Sequence, residues 1–253
     1  MIQVKDLSKV YDNGFMAVNN LSLHVKSGDI YGFLGPNGAG KTTTIRMLNG
    51  LIKPTGGEVY IQGTLVKQDE PSVKRMIGVL PESHGYYNWM TGYEYLYFFA
   101  ELYNVTKEIR KERVLKVLEM VDMTEKQDIR IGQYSRGMRQ RIGIAKTIVH
   151  SPSLIFLDEP TLGLDPQGQK DIQQIILDLN QKQGVTVFIT SHLLKEIAEI
   201  CNRVAIVKKG QLLEEGEISQ LLNEYRHKIQ PNDDSEPVTL EDVFFYVTKE
   251  GEQ

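Results

Sequence analysis

Short apolar runs punctuate the chain. Ile30-Tyr31-Gly32-Phe33-Leu34, Leu154-Ile155-Phe156-Leu157, Val185-Thr186-Val187-Phe188-Ile189 and Val204-Ala205-Ile206-Val207 are nearly continuous, which predicts strands buried on both faces. Nearer the N-terminus, Ile2, Val4 and Leu7 begin one strand-like run, and Ala17-Val18, Leu21, Leu23 and Val25 form another. Glu58 to Ile61 and Met76 to Leu80 are further strand candidates. A second pattern lies between them. Val114, Val117, Leu118 and Val121 recur at three and four, as do Ile172, Ile175, Ile176 and Leu179, which predicts helices. A helix is also expected from about Lys41 to Asn49, and the pattern is helical from about Tyr93 to His150. Strands alternating with helices predict an α/β fold with a parallel core sheet, into which the middle helical block is inserted. Lys53-Pro54-Thr55-Gly56-Gly57 reads as a turn, and Gln230 to Pro237 as a loop before a last short helix.

Composition narrows the class. The 253 residues are 41% apolar and 25% charged, enough for a packed core and unlike collagen-like, disordered or disulfide-rich chains. Cys201 is the one cysteine, so an internal disulfide and a Cys-rich zinc site are excluded. The start, Met1-Ile2-Gln3-Val4-Lys5-Asp6, does not read as a secretory signal. The most apolar stretch, Tyr95 to Ala100, is far shorter than the about 20 residues that span a bilayer. The chain is therefore expected not to cross a membrane by itself. Net charge is −4, unevenly spread: Glu214 to Gln253 holds 11 acidic and 3 basic residues, the preceding chain 22 acidic and 26 basic. The body suits an anionic ligand only weakly, the tail reads as a solvated acidic surface, and nothing in the balance points to nucleic acid.

Chemistry enters at Gly35-Pro36-Asn37-Gly38-Ala39-Gly40-Lys41-Thr42, which fits G-x-x-x-x-G-K-[ST] between a predicted strand and a predicted helix. Glycines let backbone N–H groups turn inward around phosphates, and the helix N-terminus adds partial positive charge. Lys41 can reach the β- and γ-phosphates, and the Thr42 hydroxyl can bind Mg²⁺. The motif specifies a nucleoside triphosphate without naming the reaction. The second motif is a buried strand ending in Asp158-Glu159. Asp158 is placed to bind Mg²⁺, and Glu159 to orient or deprotonate a water attacking the γ-phosphate.

The order of these and further motifs resembles the nucleotide-binding subunit of ATP-binding-cassette (ABC) transporters, from about residue 2 to 215. Tyr134-Ser135-Arg136-Gly137-Met138 looks like the signature motif, usually L-S-G-G-Q, with Arg136 and Met138 as departures. Leu164-Asp165 resembles the D-loop, and Thr190-Ser191-His192 the switch histidine. Val79-Leu80-Pro81-Glu82 stands where the family usually has a glutamine. Glu82 can accept hydrogen bonds or bind Mg²⁺ but, ionised, cannot donate.

The resemblance implies a P-loop NTPase with a RecA-like core sheet, an antiparallel β subdomain and an inserted helical subdomain at about 86–150. The ATPase domain would span 1–215, followed by an acidic C-terminal extension with helices at 216–253. It implies ATP and Mg²⁺ as cofactors. ATP would be bound by Gly35 to Thr43, with Tyr11 stacking on adenine and Val18 beside the ribose. Metal ligands would be Thr42, Asp158 and Glu82, and Glu159 and His192 would be catalytic. Ser135 and Gly137 would reach the γ-phosphate held by a second copy, with Asp165 communicating across that dimer. The partners implied are a separate transmembrane permease and a second ATPase subunit, identical to the first in a homodimer. The location implied is the cytoplasmic face of the cell membrane.

The Ser135-to-Met138 variant and Thr239-Leu240-Glu241-Asp242-Val243-Phe244 resemble exporter-type members. Thr239 with Asp242 also reads as a capping-box-like helix start. The aromatic stretch His84 to Thr91 fits either a docking surface or packing of the helical insertion. The rival class is a soluble ABC-type ATPase acting on nucleic acid or ribosomes. The single cassette and the charge disfavour it. A non-hydrolysing regulator is disfavoured by Asp158, Glu159 and His192, and a small-molecule kinase by the signature and switch motifs.

Overall fold

The computed structural model describes residues 1–68, 70–83, 85–229 and 237–250. Its contacts divide the chain into two compact units, Met1–Glu70 with Thr186–Gln253, and Pro71–Val185. The first unit opens with β1 (Ile2–Val10), β2 (Met16–Val25), β3 (Ile30–Leu34), α1 (Lys41–Leu48), β4 (Gly56–Ile61) and β5 (Thr64–Leu65). The second holds α2 (Pro71–Met76), β6 (Ile77–Leu80), α3 (Gly92–Leu102), α4 (Lys107–Met120), α5 (Arg136–Ile148), β7 (Leu154–Asp158) and α6 (Pro166–Gln183). The chain then returns to the first unit with β8 (Thr186–Thr190), α7 (Leu194–Ile200), β9 (Arg203–Lys208), β10 (Gln211–Glu217), α8 (Ile218–Ile229) and α9 (Leu240–Glu250).

In the first unit, β2-β1-β4-β5 form an antiparallel sheet. Strand β3 lies between β8 and β9 and is parallel to both, with β10 antiparallel on β9. All five residues of β3 and of β8 are buried, so their sequences are continuous apolar runs; a strand with a wet face would alternate. Strand β1 does alternate at its start, burying Ile2 and Val4 and exposing Gln3 and Lys5. In the second unit β6 and β7 run parallel, from Ile77↔Leu154 to Leu80↔Leu157. The expected helical block is there as α3, α4 and α5 around Tyr95, Leu96, Val114, Val117, Leu118, Val121, Ile142 and Ile144, all buried. Helix α3 starts on a reciprocal cap, Thr91 Oγ1 accepting from Glu94 N and the Glu94 carboxylate accepting from Thr91 N.

The start of the acidic tail is tied to the body of the first unit, while Glu224 and Glu241 are exposed. Glu214 accepts from the Tyr225 hydroxyl at 2.5 Å, and Glu215 from the Tyr31 hydroxyl at 2.8 Å. Lys208 donates to the Thr248 carbonyl, and Leu240 and Val243 are buried. Charge counting missed this because these carboxylates are satisfied by partners up to 184 residues away. The capping box holds: Thr239 N donates to Asp242 at 2.9 Å, and Asp242 N donates to Thr239 Oγ1 at 3.3 Å. The expected loop Gln230 to Pro237 lies outside the described residues except for Pro237.

One polar cluster ties β2, β3, β9 and β10 together. Arg203 meets Asp29 at 3.3 Å and Glu215 at 3.4 Å and donates to the His24 carbonyl at 2.8 Å. Its side chain is only 12% exposed and that of Asp29 7%. Removing one partner of such a cluster leaves buried carboxylates without their cation, which costs about 3–5 kcal/mol. Arg203→Met is therefore expected to lower unfolding free energy by about that amount in urea titration. A loss under about 1 kcal/mol would show that solvent already screens the cluster.

Candidate nucleotide site

The phosphate loop joins β3 to α1 in the first unit. The chain takes left-handed backbone at Gly38 and at Gly40, φ 97°. A Cβ at Gly40 would run into the Ala17 carbonyl, so only glycine lets the loop close against β2. Ala39 N donates to the Pro36 carbonyl at 3.1 Å, and Gly210 N to the Ala39 carbonyl at 3.1 Å. Gly35 and Ala39 are buried, while Pro36, Asn37 and Gly38 are exposed at the loop's crest. Lys41 Nζ donates back to the Gly35 carbonyl at 2.7 Å and to Pro36 O at 3.3 Å, which holds its charge over the loop.

Thr42 and Thr43 are half-buried on the first turn of α1. The Tyr11 hydroxyl lies 3.3 Å from Thr43 Oγ1. The Tyr11 ring, 37% exposed, therefore stands beside the loop, with Lys9 Nζ 5.5 Å from its centroid. Val18 is fully buried close to Gly40 and Gly210; it backs the loop from beneath and presents no surface to a ribose.

His192 follows β8 in a turn in which Leu193 N donates to the Ser191 hydroxyl at 3.0 Å. It is exposed while Ser191 is buried. Pro36, Asn37 and His192 share a cleft of about 460 Å³ whose other wall carries Lys195, Glu241 and Phe244. The C-terminal helix α9 is thus part of the surroundings of the phosphate loop, a position that no motif in its sequence signals.

The second unit carries the remaining groups. Asp158 ends β7 and is 5% exposed. Glu159 follows with left-handed backbone, φ 51°. That conformation is uncommon for a residue with a side chain, and among the described residues it is shared by seven other non-glycine residues; the turn closes with Leu162 N donating to Glu159 O at 3.2 Å. Asp165 caps α6, accepting from Gly168 N at 2.8 Å. Ser135 caps α5, accepting from Met138 N at 3.2 Å, and is exposed.

Among the described residues no atom beyond its chain neighbours and its own helix turn lies within 4 Å of a Cβ built at Gly137, so tertiary packing gives no reason for a glycine there. Tyr134 is an anchor, its buried hydroxyl donating to the Lys126 carbonyl at 2.7 Å; burial pushes its pKa up to about 12. Ser135, Gly137, Arg141 and Asp165 line a groove of about 500 Å³. Glu82 is exposed just beyond β6.

Among the described residues no three His, Cys, Asp or Glu side chains gather as a metal cage. In the first unit the Thr42 hydroxyl, and in the second unit the buried Asp158 carboxylate and the exposed Glu82 carboxylate, are each oxygen donors of the kind Mg²⁺ takes, one or two carboxylates with the rest of its shell from phosphates and water.

The aromatic stretch is partly packed and partly exposed. Tyr86 turns inward, its hydroxyl donating to the Arg139 carbonyl at 2.6 Å. Tyr87 packs on Trp89 at 5.1 Å and on Phe98 at 5.8 Å, and Trp89 remains 66% exposed. His84 lies outside the described residues.

Comparison with known proteins agrees with this geometry. Residues 18–162 match the family described as ABC transporter. The bacitracin transport ATP-binding protein BcrA of Bacillus licheniformis is 41% identical over 247 residues, covering 97% of this chain and 79% of that protein. The linearmycin resistance ATP-binding protein LnrL of Bacillus subtilis is 36% identical, covering 84% and 68%. Among solved structures, the dimeric post-hydrolysis state of the ATP-binding cassette MJ0796 bound to ADP and Pi superposes with a TM-score of 0.76 at 28% identity, over 86% of this chain and 98% of that one. The ATP-binding subunit of another ABC transporter, at 23% identity, shares the fold with a TM-score of 0.84, over 98% and 99%. The family match covers more than half of the chain and includes the phosphate loop and Asp158-Glu159, so this protein belongs to the ABC transporter family and is an ATP-binding, ATP-hydrolysing subunit that powers transport.

Proposed function

We propose that two copies of this chain bind ATP head to tail and that their closing and opening drives export through a separate membrane-spanning permease. In each site one copy supplies Gly35 to Thr43, Tyr11, Asp158, Glu159 and His192, and the other supplies Ser135 and Gly137, with Asp165 beside them. The observation that carries this reading is Gly137. It sits in the first turn of α5 beside an exposed serine cap, where tertiary packing among the described residues does not require a glycine. With no side chain at position 137, the helix N-terminus offers N–H donors and partial positive charge to an anion arriving from outside the chain.

Glu159 takes the proton of a water as its oxygen bonds to the γ-phosphorus and the bond to ADP breaks. His192 orients that water and the γ-phosphate, and Lys41 holds the β- and γ-phosphates as a point charge. Thr42 and Asp158, with Glu82 as a further ligand, would hold Mg²⁺, whose charge would offset that of the phosphates. ATP is thus a ligand of the closed pair, and its hydrolysis removes the link between the halves.

Export as the direction is supported by relatives named for bacitracin transport and linearmycin resistance and by the exporter-like signature and tail. No helix among the described residues is long and apolar enough to cross a membrane. The reading therefore assigns the crossing to the permease and places this subunit on the cytoplasmic face of the membrane, held through the Tyr87–Trp89 aromatic surface. Aromatic side chains exposed together are typical anchors of a protein interface.

The test is to purify tagged Glu159→Gln protein from native membranes with ATP and identify what accompanies it by mass spectrometry. A multi-spanning protein at about equal stoichiometry is expected, two of each chain per assembly. A partner-free dimer, or one carrying ribosomes or DNA, would overturn the transporter assignment of this chain and leave its ATPase chemistry standing.

A further inference from the structure

We infer that Arg136 is a positioning residue that clasps the loop before α6 to the start of α5, so that the two elements offered to the second copy move as one piece. Arg136 Nη2 donates to the Leu162 carbonyl at 2.6 Å. The next residue, Gly163, has left-handed backbone, φ 70°, and a Cβ built there would fall inside the Arg136 guanidinium. The guanidinium plane therefore lies where a side chain at 163 would stand, and the glycine is needed for two reasons at once. Arg136 is the first residue of α5, directly after the cap Ser135, and Leu162 is three residues before the cap Asp165. The clasp thus joins the two capped helix starts that the head-to-tail reading turns toward the second nucleotide site.

A second tie lies deeper. Arg141 meets Asp122 at 2.7 Å and Asp171 at 2.6 Å. It holds the bodies of α5 and α6 together without touching the loop. Arg136 ties the loop to the cap through the Leu162 carbonyl. An exposed arginine bonded to one carbonyl has little effect on global stability, so its value is geometric. The planar fork can donate to the carbonyl while lying flat on the glycine backbone, which an ammonium cannot do. This is also the position where Tyr134 to Met138 departs from the usual signature, and the glycine found there in that pattern could not form the clasp.

The consequence for ATP rests on the head-to-tail reading, so two experiments separate them. Hydrogen exchange on the nucleotide-free protein reads the clasp alone. Arg136→Gly is expected to speed exchange of the Leu164 and Asp165 amides about five- to tenfold, with the interior of α6 unchanged, and Arg136→Lys to restore part of the protection. Unchanged exchange in Arg136→Gly would overturn the clasp. ATP-dependent dimerisation, read by sedimentation in the Glu159→Gln background, tests the consequence. Arg136→Gly is expected to weaken the dimer about tenfold while binding of a fluorescent ATP analogue to the monomer stays within about twofold, since Arg136 does not touch the phosphate loop of its own first unit.

Gly163→Ala should weaken the dimer as well, because its Cβ displaces the guanidinium. Adding it to Arg136→Gly should cost less than the product of the two effects. Strictly multiplicative effects, or a Glu159→Gln dimer indifferent to Arg136→Gly, would overturn the positioning role. A Glu159→Gln protein that never dimerises with ATP would overturn the head-to-tail reading, and with it the trans role of the clasp, whatever the exchange result.

Discussion

Glu159→Gln is expected to lower ATP turnover by about two to four orders of magnitude, the range for removing a positioned general base, while ATP affinity stays nearly unchanged. Gln keeps the size of the side chain and can still hydrogen-bond a water, but it cannot take up the proton that must leave as the water attacks. The backbone at 159 is already left-handed, φ 51°, and that cost falls equally on both residues. The structure around the turn should therefore survive, including the bond from Leu162 N to the carbonyl of residue 159. With ATP bound and not cleaved, the closed dimer should accumulate. Phosphate release and gel filtration with ATP check the two halves of this expectation. Turnover above about a tenth of wild type would remove Glu159 from the role of base.

Lys41→Ala is expected to fail in the opposite way. Its amine donates to the Gly35 and Pro36 carbonyls at 2.7 and 3.3 Å, held over the crest where the β- and γ-phosphates would lie. A charge-assisted bond to phosphate contributes about 1.5–3 kcal/mol, so removing the ammonium should weaken ATP binding about 10- to 100-fold. The loop itself should keep its shape, because Ala39 N to Pro36 O and Thr44 N to Gly40 O do not involve the lysine side chain. Calorimetric titration with ATP measures the affinity, and circular dichroism confirms the fold. An unchanged dissociation constant would refute the assignment of Lys41. The two variants form a contrast that a general loss of folding cannot imitate: one keeps the ligand and loses the reaction, the other loses the ligand first.

The sequence by itself determined whatever depends on near neighbours. The runs ending at Leu34, Asp158 and Thr190 had to be strands buried on both faces, because they offer no polar side to water. The glycine spacing before Lys41 had to be a phosphate loop, because its geometry is set within eight residues. Thr239 and Asp242 capped a helix for the same local reason. The solvated reading of the acidic tail fails at Glu214 and Glu215, which are satisfied by Tyr225, Tyr31 and Arg203, partners that no local pattern links to them.

Strand β10, in which only Leu212 and Leu213 are apolar beside Glu214, Glu215 and Glu217, has no strand-like alternation and exists through its pairing with β9. Helix α7 has no clear periodic signature in the sequence either, whereas α8 falls within the helical C-terminal extension expected at 216–253. Only the tertiary structure set the Tyr11 hydroxyl beside Thr43, buried Val18 beneath the loop, put α9 on the wall of the cleft with His192, and laid Arg136 on Gly163. Each of these needs segments 22 to more than 200 residues apart to meet. Such meetings are decided by how whole elements pack, because the chain entropy lost in closing long loops is recovered only when many contacts form together.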